Sequence, residues 1–95
     1  MNSQYIEKTL VERGEYTESQ AALITKDLMQ IDSMLMPSLS KWIKDGVETD
    51  FSVEGFTLYG IKSKYNMTYP AALLTMDWLV KEPNIAKEAI KHGLK

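Results

Sequence analysis

The chain has 95 residues, 44% of them apolar and 25% charged, with a net charge of −2. That is the composition of one small globular domain spanning 1–95, and it excludes a disordered tail, a collagen-like repeat and a coiled-coil rod. With no cysteine, it also excludes a disulfide scaffold, a thiolate metal site and a cysteine nucleophile.

Apolar runs such as AALL and WLV are far too short for a membrane span. The N-terminal MNSQYIEKTLVER lacks a signal-peptide pattern, so a cytoplasmic protein is expected. Ten lysines against one arginine, Arg13, suggest an AT-rich coding sequence, as in a low-GC bacterium or its mobile elements. The charge is split along the chain. Residues 1–54 hold ten acids and five bases, for −5; residues 55–95 hold three acids and six bases, for +3. Such asymmetry suits a nucleic-acid face or head-to-tail self-association, although short chains also split unevenly by chance.

In chain order, residues 3–13 read as a short helix with Tyr5, Ile6, Leu10 and Val11 inward, ended by a left-handed Gly14. Thr17-Glu18-Ser19-Gln20 is a capping box, and the helix it opens is expected to reach Leu35. Along it Ala21, Ile24, Leu28, Ile31 and Leu35 fall within about 80° of one another, a 3-4-3-4 inner seam. Asp32 lies at the edge of that seam. Pro37 stops or kinks the helix and suits the first turn of the next. Residues 37–45 then bury Leu39, Trp42 and Ile43 and end at Asp45-Gly46.

The stretch GVETDFS, 46–52, reads as an acidic loop, and no β-hairpin signature stands out. Ser52 is expected to cap a helix over 53–65 anchored by Phe56, Leu58, Ile61 and Tyr65. Gly55 and Gly60 would then sit inside that helix, each costing about 1 kcal/mol against alanine. A close helix crossing at Gly60, or a later helix start, would account for them. Asn66-Met67-Thr68 forms a turn. Residues 69–81, YPAALLTMDWLVK, are apolar on most of their circumference and belong in the middle of the fold. Pro83 opens a last helix with Ile85, Ala86, Ala89 and Ile90 as its stripe, and Gly93-Leu94 resembles a Schellman close. The predicted fold is a compact all-α bundle of five or six short helices, with a helix-turn-helix-like corner at 53–81.

No motif assigns a reaction. The one histidine, His92, stands four residues after Glu88 near a chain end, where a solvated i,i+4 pair is the ordinary reading. Asp45, Glu48, Asp50 and Glu54 are dense enough for a calcium ion but lack the order of a calcium loop. The five glycines never take a phosphate-loop spacing. The expectation is no catalytic residue, no cofactor and no metal.

Residues 58–79, LYGIKSKYNMTYPAALLTMDWL, resemble a helix-turn-helix unit. The resemblance implies nucleic-acid contacts at Lys62, Lys64 and Tyr69. The sequence departs from the pattern in two ways: Lys62 replaces the small residue expected after Ile61, and the outward positions Tyr69, Pro70, Leu74 and Asp77 offer no arginine, asparagine or glutamine to read a base.

What remains is surface. Leu23 and Met34 lie away from the seam, Met29, Met34 and Met36 crowd eight residues, and Tyr59 and Tyr69 are amphipathic rings. Leu74 and Trp78 lie nearly opposite Ala72, Met76 and Leu79. The expected function is a non-catalytic helical interaction module whose partner surface comprises Leu23, Met34, Met36, Tyr59, Tyr69, Leu74 and Trp78. It would meet a protein partner or form a homodimer, and no membrane. The alternative is a nucleic-acid-binding regulator using residues 58–81.

Overall fold

Side-chain caps open five of the helical elements in the computed structural model, which describes residues 2–93. The protein is all-α, with six α-helices among the described residues, one 3-10 turn and a two-stranded antiparallel hairpin. It divides into two units, Met1–Thr49 and Asp50–Lys95.

In the first unit, Asn2 Oδ1 accepts from the Gln4 N–H at 2.8 Å and opens α1, Ser3–Glu12. Its inward face is Ile6, Thr9 and Leu10, while Tyr5 is 55% exposed and Val11 also faces solvent. The expected stripe is therefore rotated. Thr9 tolerates burial because its hydroxyl donates to the Tyr5 carbonyl one turn back, at 2.9 Å. Gly14 is not the left-handed residue either; Glu15 is, at φ 62°. Glycine at 14 answers a close approach instead, since a Cβ there would stand 2.9 Å from the Leu10 carbonyl oxygen and 3.0 Å from the Tyr16 ring.

The capping box forms as read: Thr17 Oγ1 accepts from the Gln20 N–H at 3.2 Å, and Gln20 Oε1 accepts from the Thr17 N–H at 3.0 Å. The helix it starts, α2, is Glu18–Leu28 and packs on α1. It stops seven residues short of Leu35. Asp32 is the reason: its Oδ1 accepts from the Met34 N–H at 3.0 Å and caps a separate 3-10 turn, Ser33–Leu35. The seam survives the break, for Ala21, Leu28, Ile31 and Leu35 are buried and Ile24 half-buried.

Helix α3, Met36–Asp45, follows with Pro37 in its first turn, buries Leu39, Trp42 and Ile43, and ends at a left-handed Gly46, φ 70°. The Arg13 guanidinium donates to the carbonyls of Trp42 and Ile43 and lies 5.8 Å from the Trp42 ring centre. A charge from the end of α1 thus reaches carbonyls in the last turn of α3, of which that of Trp42 also accepts the Gly46 N–H at 3.0 Å.

The second unit opens on structure the periodicity does not show. Ser52–Val53, β1, pairs with Phe56–Thr57, β2, across Glu54-Gly55, both at positive φ (54° and 83°). Two left-handed residues are what a tight hairpin turn requires, and they fix Gly55 outside any helix. The next helix starts later than Ser52 implies. Thr57 is its cap, accepting from the Gly60 N–H at 2.9 Å, and α4 is Leu58–Lys64. No helix crossing explains Gly60, because a Cβ there would stand 2.6 Å from Thr57 Oγ1 and push out the cap.

Asn66 takes the left-handed turn at φ 53°, and Thr68 caps α5, Tyr69–Lys81. That helix packs on α4, on β1 and on α6, Pro83–Lys91. Its Tyr69, Pro70, Ala72, Leu73, Met76, Asp77 and Leu79 are buried, as its all-round apolarity predicts. In α6, Ala86 and Ile90 are inward and Ala89 is half-buried, but Ile85 is 58% exposed, one position off the inward line. Gly93 is left-handed at φ 99°; the Schellman contact expected of Leu94 lies outside the described residues.

Candidate interaction surface

The first unit carries the more exposed apolar side chains of the expected surface. The Asp32 cap fixes the 3-10 turn and leaves Met34 59% exposed at its centre. Immediately C-terminal, Met36 is half-buried and lines an open hollow of about 400 Å³ with Ser33, Pro37, Ser40 and Lys44. Met29 caps the end of α2 and is 44% exposed. Leu23 is the most exposed large apolar residue of the unit, at 67%, but it lies on α2 and does not line that hollow. Met34, like Leu23, does not line the hollow, but it lies on the 3-10 turn that leads directly into Met36, whereas Leu23 lies on α2.

In the second unit the expectations divide. Tyr59 is exposed, and Leu74 and Trp78 are half-buried. Tyr69 is 2% exposed, so neither a protein partner nor a nucleic acid can reach its ring. It occupies the first turn of α5, where it and Pro70 point inward. Asp77, expected outward, is buried and holds Lys81 at 2.8 Å. The corner α4–turn–α5 is present, but three of the four expected reading positions are buried. Lys64 is exposed, 5.4 Å from the Tyr65 ring centre, and Lys62 is half-buried. The Tyr65 hydroxyl donates to the Ile90 carbonyl and ties α4 to α6.

His92 Nε2 lies 3.3 Å from Glu88, both side chains mostly in solvent, as the i,i+4 spacing implies. Asp50 Oδ1 accepts from the Phe51 and Tyr59 N–H groups at 3.0 Å each, and Glu54 pairs with Lys87 at 3.0 Å. These two acids of the 45–54 run thus have local structural partners. Among the described residues no three His, Asp or Glu side chains converge as a metal-ligand set, and no helix is long and apolar enough to cross a membrane.

Sequence reasoning missed Arg13, whose role needs α1 and α3 side by side. It also missed the Glu54-Gly55 turn, which a residue-plus-glycine pair flanked by short β-formers could have signalled. Fold and surface together define a small all-α protein with an exposed methionine corner. No protein-family model, curated protein or solved structure matches the chain.

Proposed function

We propose that the chain is a non-catalytic helical interaction module that meets a second protein chain, its own copy first, through the corner at Met34 and Met36. One observation carries the reading: Met34 is 59% exposed on a turn whose backbone is already fixed by the Asp32 cap. A fixed backbone lowers the ordering entropy lost on docking, and thioethers adapt to the surface they meet. The unit's buried side chains come from the inner seam and from α1 and α3, so exposure of Met29 and Met34 does not serve the core. Light scattering from low to high micromolar concentration tests this. The expected mass rises above one chain; a single-chain mass throughout, with no protein retained from a host lysate, contradicts it.

A second reading, nucleic-acid binding through residues 58–81, draws on the α4–turn–α5 corner and on Lys62 and Lys64 in the last turn of α4. Two lysines supply little affinity at physiological salt. Titration with genomic DNA at low salt separates the readings. Binding that weakens steeply with added salt favours the second, and none even at low salt ends it.

A further inference from the structure

The five described methionines occupy very different surroundings. Met34 and Met29 are 59% and 44% exposed, Met36 and Met67 are half-buried, and Met76 is fully buried. A thioether is oxidised through its sulfur lone pair, so access of the oxidant to the sulfur sets the order of attack. Access favours Met34, on the capped turn, and then Met29.

We propose that Met34 is a methionine-oxidation site for hydrogen peroxide, placed so that modification switches the docking face off; the switch rests on the interaction reading above. In the reaction the sulfur lone pair attacks one peroxide oxygen. The S–O bond forms as the O–O bond breaks, and the transferred oxygen passes its proton to the departing hydroxide, which leaves as water. Sulfur loses two electrons and peroxide gains them. The product is a polar sulfoxide where an apolar group met its partner, and its oxygen disfavours burial without a hydrogen-bond donor. The buried core is spared, because neither Met34 nor Met29 belongs to it.

The test is peroxide treatment of the folded protein, with tandem mass spectrometry locating each added oxygen and light scattering on the same samples. Sulfoxide is expected at Met34 and Met29 at least about tenfold sooner than at Met76, with Met67 between, because Met76 reacts only from opened states. In urea the order should vanish. Oxidation should also return the associated protein to single chains, and a Met34→Leu variant should stay associated in peroxide. Equal rates at Met34 and Met76 in the folded protein overturn the site. Selective oxidation that leaves the mass unchanged overturns the switch. A wild-type protein that is a single chain before any peroxide defeats the interaction reading instead, and the oxygen map still decides the site.

Discussion

Arg13 is the chain's one arginine, and its guanidinium spans the carbonyls of Trp42 and Ile43 while lying over the Trp42 ring. Both bonds come from one nitrogen, Nη1, so what a lysine lacks here is the planar group that lies over the ring while the bonds are made. Arg13→Ala is expected to cost about 1–2 kcal/mol in urea unfolding, with Arg13→Lys recovering only part. A lysine variant as stable as wild type would refute the cap. Thr25 is the opposite case. It is 2% exposed in α2, and its hydroxyl has no hydrogen-bond partner. Burying an unsatisfied hydroxyl costs about 1–3 kcal/mol, so Thr25→Val should raise the urea midpoint. A lower midpoint would mean that the hydroxyl is satisfied after all. Neither residue could be singled out beforehand, since both arguments depend on what surrounds a side chain in space.

At the scale of elements, periodicity and caps were read with different success. The seam Ala21–Leu35 is a real inward line, yet the helix under it breaks after Leu28. Hydrophobic spacing reports which face is inward, and it is blind to a polar side chain that prefers to bond its own backbone. Asp32 is such a side chain, two residues before the amide that it binds. The shift from Ser52 to Thr57 has the same origin, two competing cap residues five positions apart, decided by a hairpin the periodicity does not reveal. By contrast α3 and α5 matched closely, because proline, glycine and threonine punctuate their ends.

The hairpin turn makes a sharp prediction. Glu54 adopts a left-handed conformation that favours asparagine or glycine, ahead of Gly55. Its ion pair with Lys87 is partly exposed and contributes little. Glu54→Asn should therefore raise the thermal midpoint, by the equivalent of up to about 1 kcal/mol. A fall would show that the Lys87 contact outweighs the turn.

For the whole molecule, length predicts one cooperative domain, and we propose that reading for the 95 residues. Nature has placed one tryptophan in each unit, Trp42 in the first and Trp78 in the second. Single-tryptophan variants, Trp42→Phe and Trp78→Phe, allow each unit's unfolding to be followed by fluorescence. Coincident urea transitions are expected after correction for each substitution, and separated midpoints would establish two independent domains. Of the candidate surface, Leu23 and Met34 were legible as outward residues from helical spacing, and Tyr59, singled out for its amphipathic ring, is also exposed. Tyr69 was not, because an aromatic ring at a helix start packs inward or outward according to neighbours that spacing cannot name.

The central claim is that the methionine corner joins this chain to another, and a comparison of masses at one concentration tests it most directly. At high micromolar concentration, light scattering of the wild type should exceed the mass of one chain. Met34→Lys should return it to one chain, while Tyr5→Lys, which charges an equally exposed apolar residue on α1, should leave it unchanged. A Met34→Lys protein as associated as the wild type, or a wild type that is a single chain, would contradict the account.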